Sequence, residues 1–212
     1  MGPQDIEMFE PEALRSRLRA DLEEVQRRAT SGQVSDGAAA ARNHRQDQLR
    51  LRHALEALTM MEEVQDLLGP GVAALQVSEE YNDAATEFQF VFRLLPASPR
   101  AAPVALRITN GDEVLVEPGH GVVIHWNTEI ESVAAFVKTL RFYVRLVTEG
   151  AFREVYWPDR PMTAGGAVKT YFLIGGRWRR QGKIGGGRGG RRIERRYEPY
   201  RTEPEPQPPL EP

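Results

Sequence analysis

Residues 104–150 read VALRITNGDEVLVEPGHGVVIHWNTEIESVAAFVKTLRFYVRLVTEG, and this stretch decides the fold. It begins with three short β-like runs. The pairs Asn110-Gly111 and Pro118-Gly119 between them are typical of tight turns that join antiparallel strands. Thr128 and Glu131 then form a capping box, which begins a helix of about twenty residues. The stretch therefore predicts a three-stranded meander followed by a long helix, in a protein of the α+β class.

The helix predicted over residues 129–149 is apolar around most of its circumference. Its polar side chains cover only a narrow strip, so we expect the helix to lie against the sheet at the centre of the core. The main apolar stripe is Ile130, Val133, Ala134, Val137, Leu140, Val144 and Val147, and it is widened by Phe136, Phe142, Tyr143 and Leu146.

Further β-like runs flank this stretch on both sides. Two of them cover residues 73–77 and 87–95, and a third covers Val168–Ile174. Gly175-Gly176 follows the third run, and because glycine accepts positive φ without steric cost, the sequence predicts a last hairpin with an unusually basic second strand. Residues 72–184 are thus expected to form the α+β domain.

The N-terminal part is predicted to be a helical hairpin over residues 11–69, after a flexible N-terminus of residues 1–10. One apolar stripe marks the first helix, and Gly69-Pro70-Gly71 ends the second. The seam between the helices is narrow, so it needs another surface, either the next domain or a second copy. We therefore expect residues 11–68 to bind a protein partner or to self-associate.

Composition excludes several classes of protein. The 212 residues are 41% apolar and include no cysteine, which excludes disulfides, iron–sulfur clusters and thiolate nucleophiles. No run of 18 apolar residues occurs and acidic residues crowd the start of the chain, so we expect a cytoplasmic protein without a membrane partner or a cofactor. Only three of the 28 basic residues are lysine, which indicates a GC-rich, bacterial or phage genome.

The formal net charge of −2 conceals an uneven distribution along the chain. Residues 174–201 carry ten basic and two acidic side chains, whereas residues 202–212 carry three acidic ones and no basic one. Residues 185–212 are rich first in arginine and glycine and then in proline, a composition that buries too little apolar area to offset the entropy of ordering. The sequence predicts a disordered basic C-terminal tail.

The basic arm is the feature that points most directly to a function. Guanidinium groups pair with phosphates and stack on bases, and interleaved aromatic rings add stacking. We therefore expect the arm to contact RNA or DNA, while an acidic protein partner, the acidic body of the chain itself, or no specific partner remain open. The candidate nucleic-acid-binding residues are Arg177, Trp178, Arg179, Arg180, Lys183, Arg188, Arg191, Arg192, Arg195 and Arg196.

Signals for catalysis are weak. The fingerprint Gly185-x-Gly187-x-x-Gly190 lacks the strand before it and the helix after it that dinucleotide binding needs, and no Gly-x-Ser-x-Gly occurs. His44 and His53 are expected on the surface. The pairs Glu79-Glu80 and Asp112-Glu113 are expected to be solvated charges at turns.

One enzyme site can still be imagined, near His120, His125, Glu129 and Trp157. However, a spacing of five places the two histidine rings on opposite faces of a straight strand. The sequence therefore favours a non-enzymatic assembly or adaptor protein, with an enzyme of dispersed active site or a protein-only interaction module as alternatives.

Overall fold

A computed structural model of the chain gives the fold. Its helices and antiparallel sheets confirm the α+β class. The structure describes residues 7–31, 38–81, 88–109, 113–119, 124–127, 133–157, 168–184 and 191–201.

The strands divide between two sheets, a division that the sequence did not predict. The helices are α1 (Pro11–Thr30), α2 (Ala38–Leu68) and α3 (Val133–Thr148). The first sheet runs in the order β1 (Glu7–Phe9), β2 (Ala73–Tyr81), β3 (Phe88–Pro96), β4 (Val104–Ile108), β5 (Glu113–Pro118), β6 (Ile124–Asn127). The second runs β10 (Ile193–Arg196), β7 (Phe152–Tyr156), β8 (Val168–Ile174), β9 (Arg177–Ile184).

The predicted helical hairpin is present, and its seam is covered within the same chain. Arg15, early in α1, pairs with Glu62, late in α2, so the helices are antiparallel. Leu14 and Leu18 are fully buried in one continuous hydrophobic cluster that also includes the apolar side chains of the first sheet. A second copy is therefore not needed to cover the seam. Association through residues 11–68 stays a prediction, but an uncovered seam no longer supports it.

Three residues at the N-terminal end correct the expectation of a flexible segment. Glu7–Phe9 form β1, which pairs with β2 and begins the first sheet. A strand of three residues is too short to show periodicity, and it forms here because it completes the main-chain hydrogen bonding of a longer neighbour. Residues 1–6 lie outside the described part.

The buried face of α3 is rotated from the predicted stripe. Leu140, Val144 and Val147 are buried as expected, but Ala134 is exposed and Phe142 is 43% exposed. The reason is that α3 packs against both α2 and the second sheet. The two buried aromatic side chains of α3, Phe136 and Tyr143, meet His53 of α2 and Phe172 of β8 at ring-centroid distances of 4.5 and 5.2 Å.

That same contact corrects the expectation that both histidines of α2 lie at the surface. His53 is only 2% exposed, because its ring packs edge-on against Phe136 between the two helices. Its largely apolar ring makes this position compatible with the core. His44, nine residues earlier and on the opposite side of α2, is half-buried.

Part of the tail predicted to be disordered is folded. Ile193–Arg196 form β10 on the edge of the second sheet, and Tyr197 and Tyr200 are 7% and 6% exposed. The Tyr200 hydroxyl donates to the carbonyl of Ala102 at 2.6 Å, and the Tyr197 hydroxyl donates to Glu154 Oε2 at 2.5 Å. The prediction of disorder was wrong for residues 191–201, because composition averaged over the tail does not reveal two tyrosines that bury large areas. Residues 185–190 and 202–212 lie outside the described part.

We call residues 197–201 the clasp, because they join four elements. Gly150, just after α3, has φ 70°, and a Cβ there would lie 2.7 Å from the nitrogen of Pro199, so only glycine permits this close approach. Arg201 Nη2 donates to the carbonyl of Leu68 at 2.5 Å and thereby caps the end of α2. The clasp thus holds α2, α3 and both sheets together.

Candidate nucleic-acid interface

The second sheet has two different faces. On the core side, the Phe152 ring lies 5.3 Å from that of Phe172 and stacks at 5.2 Å on that of Tyr197. Because successive residues of a strand alternate between faces, the residues between these point to the opposite side. We call this side the outer face. Its described side chains include Arg153, Lys169, Tyr171, Leu173, Trp178, Arg180, Glu194 and Arg196.

Arg153 lies at the centre of the outer face. Its guanidinium carbon is 4.8 Å from the centroid of the Tyr171 ring and 4.6 Å from that of Trp178, which is cation–π geometry. Its Nη1 also donates to Glu194 Oε1 at 2.7 Å. The side chain is 15% exposed, so Arg153 holds two half-buried rings in place.

Glu194 accepts hydrogen bonds from several arginines of the second sheet. Besides Arg153, it accepts hydrogen bonds from Arg196 Nε at 3.0 Å and Arg192 Nη2 at 3.3 Å. The hydrogen bonds from Arg196 and Arg153 lower the pKa of Glu194 below its usual range, so it is ionised at neutral pH. One carboxylate therefore faces several cations, and the described side chains of the outer face keep a positive surplus.

The other positively charged side chains of the outer face lie on the edge strands or near a strand end. Arg180, on the edge strand β9, and Arg196, on the edge strand β10, are exposed. Lys169 Nζ lies 5.0 Å from the centroid of the Trp157 ring, just after β7. Leu173 is 37% exposed. Cations and aromatic rings thus alternate across one surface, an arrangement that suits both phosphates and bases.

The structure separates the predicted residues by face. Trp178, Arg180 and Arg196 lie on the outer face, while the side chain of Lys183 lies outside the described residues. The exposed residues Arg177, Arg179 and Arg195 belong by register to the opposite side, at the edges of the sheet. Arg191 is exposed just before β10, Arg192 pairs with Glu194, and Arg188 lies outside the described residues.

Sequence reasoning missed Arg153, Lys169 and Tyr171, and it assigned Trp157 to the alternative enzyme site. The alternation of Val168–Ile174 already placed Lys169 and Tyr171 opposite Val168 and Phe172, and that signal could have found them. Arg153 had no such signal, because no strand was predicted between Gly150 and Trp157. The candidate interface is therefore a surface of a folded sheet rather than a linear arm.

The paired carboxylates Glu79 and Glu80 are also corrected. They lie within β2, not at a turn, and are 6% and 4% exposed. Glu79 points to the core side and accepts a hydrogen bond from Arg17 Nη1 at 3.0 Å. Glu80 points to the other side and pairs with Arg93 at 2.5 Å and Arg107 at 2.8 Å. Opposite orientations exclude joint acid–base chemistry by the two.

The alternative enzyme site stays a prediction. His120 and Glu129 lie outside the described residues, as does the side chain of His125. Within the described ranges, no three His, Asp or Glu side chains are grouped closely enough to hold a metal ion. In the same ranges, no helix has the length and apolar character to cross a membrane.

Comparison with protein-family models, curated proteins and solved structures found no match to this chain. A functional proposal must therefore rest on the chain's own residues and their geometry.

Proposed function

We propose that the outer face of the second sheet binds single-stranded nucleic acid. The observation that carries the proposal is the Arg153 guanidinium set between the Tyr171 and Trp178 rings, with the exposed cations Arg180 and Arg196 on either side. Both halves of the chemistry, phosphate pairing and base stacking, are supplied by this one surface.

The spacing of the strands suits this ligand. Arg196 and Arg180 lie on the two edge strands, which are three strand spacings apart, or about 14 Å. The Tyr171 ring lies on β8, between the two edge strands, and the Trp178 ring lies on β9, two residues from Arg180. Phosphates would thus bind near the edges while bases stack on these rings. Stacking needs bases that are not already paired within a duplex, which favours a single strand.

In the wider proposal the protein is non-enzymatic and works in assembly. The outer face would hold nucleic acid, while the exposed side of the α1–α2 hairpin would remain open to a protein partner. An acidic protein segment is the competing ligand for the outer face. The observation that favours it is that three arginines of this face donate hydrogen bonds to the Glu194 carboxylate at 2.7–3.3 Å.

The test is a titration of the full chain with a labelled oligonucleotide, single-stranded or in a duplex, at several salt concentrations. If three or four cations each neutralise one phosphate, log K should fall against log salt with a slope of about −2 to −3 on the single strand. The single strand should bind more tightly than the duplex. Polyglutamate of matched charge serves as competitor.

Each other outcome is informative. Displacement by polyglutamate at the concentration at which the oligonucleotide itself competes would favour the acidic protein partner. Equal affinity for duplex and single strand would remove the role of stacking. No binding at low salt would show that the proposal is wrong.

A further inference from the structure

A groove runs between the second half of α2 and the exposed side of α3. One part is a cleft of about 650 Å³, lined among others by Val64, Leu67, Leu68, Arg141, Arg145 and Arg201. An adjoining cleft of about 560 Å³ is lined by Ala134, Val137 and Lys138 and shares Arg141 with the first. Leu67 is 79% exposed. We call the two clefts together the α2/α3 groove.

We propose that the α2/α3 groove holds the chain's own C-terminal segment, residues 202–212, within the same molecule. The clasp provides the first argument. Pro199 and Arg201 line the groove themselves, and Arg201 is fixed there by its hydrogen bond to the Leu68 carbonyl. Arg201, the last described residue, therefore lies in the groove, and a segment that continues from it needs no long connection to reach the groove.

The length of the segment matches the groove. Residues 202–212 have the sequence TEPEPQPPLEP, and proline-rich chains favour an extended form of about 3.1 Å per residue, so eleven residues span about 34 Å. The groove follows α3 from Thr148 to Ala134, which is about 21 Å at 1.5 Å per residue. The segment is thus long enough to cover the whole groove.

The charges are complementary. The segment has three carboxylates and no cation, whereas the groove presents Lys138, Arg141, Arg145 and Arg201. Arg141 pairs with Glu63 and Arg145 with Glu149, but their side chains are 53% and 72% exposed and keep further donors. Glu56 also lines the groove, so four cations face three glutamates there, and the remaining N–H donors of the cations can bind the carboxylates of the segment.

The spacing of the charges also fits. Arg141 and Arg145 are one helical turn apart, about 6 Å along the axis. Glu203 and Glu205 each precede a proline, which favours extended backbone, and extended residues two apart are also separated by about 6 Å. Leu210 and the prolines would then cover the exposed aliphatic side chains of the groove.

The experiment uses the absence of cysteine from the chain. Ala134→Cys places a single thiol in the groove, and Ala20→Cys places a matched thiol on the exposed side of α1. Each is made in the full chain, with and without the pair Glu203→Lys and Glu205→Lys. The rate of modification by an uncharged maleimide is measured at low and high salt.

We expect the thiol at position 134 to react about tenfold more slowly with the native segment than with the charge-reversed one. A short tether gives the segment a millimolar effective concentration at the groove. The tenfold effect follows if the dissociation constant of the segment for the groove is about ten times smaller than that concentration. Salt at 0.5 M, a concentration well above those at which surface charges act over long range, should remove most of the difference. The thiol at position 20 should be unaffected.

Two results would overturn the proposal. Equal rates at position 134 with both segments would show that residues 202–212 do not cover the groove. Protection that grows with protein concentration would show that the segment comes from a second copy. Protection that is independent of concentration supports docking within one molecule.

Discussion

In each sheet, the face opposite the hydrophobic core carries arginines, but the two sheets differ in how those arginines are paired. In the first sheet, Glu80 bridges Arg93 and Arg107, and Arg107 Nε also meets Glu117 Oε1 at 2.9 Å. These charges balance. In the second sheet, one carboxylate, Glu194, faces a larger number of described cations. The proposed interface therefore rests on the excess of described cations over carboxylates in the second sheet, and not on the number of arginines.

The non-polar neighbours of the arginines differ in the same way. On the first sheet they include Val91 and Ala105, which are 0% and 9% exposed and leave nothing for a ligand to stack on. On the second sheet they are half-buried aromatic rings whose positions Arg153 fixes. We therefore expect substitutions on the first sheet to change stability and substitutions on the second to change binding.

The largest effect is expected from Glu80→Gln. It removes charge from hydrogen bonds with Arg93, Arg107 and Ser78, and should lower the free energy of unfolding by roughly 1.5–3 kcal/mol. Affinity for the oligonucleotide should not change. Chemical denaturation measures the first effect and titration of the folded variant the second.

A matched control is Glu63→Gln, which removes an exposed ion pair with Arg141 and should cost less than about 1 kcal/mol. If the two substitutions cost the same, the network on the first sheet is not structural and the comparison between the sheets fails.

Trp178→Ala tests the stacking surface. It should weaken single-strand binding by roughly 1–3 kcal/mol, because a base loses its partner ring, and it should leave the salt slope nearly unchanged, because stacking releases no counterions. Trp178→Phe keeps a ring and should retain most of the affinity. A thermal melt of each variant verifies folding. A change in slope equal to that of an arginine substitution would count against stacking.

Neighbouring carboxylates of β2 should respond to pH in opposite ways. Burial raises the pKa of Glu79, and its hydrogen bond with Arg17 only partly offsets this. Burial also acts to raise the pKa of Glu80, but hydrogen bonds from Arg93 and Ser78 outweigh it, and the pKa is lowered. Glu80 thus contributes stability above the usual value of 4.5 that is lost as pH falls below it, whereas Glu79 gains stability on protonation.

The check is denaturation of Glu79→Gln and Glu80→Gln between pH 7 and pH 3.5. Wild type should gain stability relative to Glu79→Gln as pH falls toward 4.5, and it should lose its advantage over Glu80→Gln below that value. Parallel curves for the two variants would show that the two environments do not differ as described.

The amino-acid pattern predicted most of the elements but not their assembly. The turn at 175–176 and the end of α2 follow from local preferences of glycine and proline, so both could be derived from short windows, whereas the turn predicted at 110–111 lies outside the described residues. β7 and β10 could not, because their pairing depends on residues about 40 positions apart. The site was correspondingly half predicted: the basic residues of β9 were found, and the sheet that sorts them by face was not.

The fate of the tail teaches a related lesson. Composition over residues 185–212 indicated disorder, yet Tyr197 and Tyr200 bury their rings and find partners for their hydroxyls. Two anchored aromatic residues are enough to order their neighbours, and an average over 28 residues hides them.

The most direct test of the central claim compares Arg180→Ala with Arg179→Ala. These residues are adjacent on β9, both are exposed, and they have the same charge, but they lie on opposite faces of the sheet. We predict that Arg180→Ala weakens single-strand binding and makes the salt slope less steep by about 0.7, the loss of one phosphate contact, while Arg179→Ala leaves both unchanged. Equal effects of the two substitutions would contradict the account, because they would show that the total charge of the arm, and not the outer face, binds the nucleic acid.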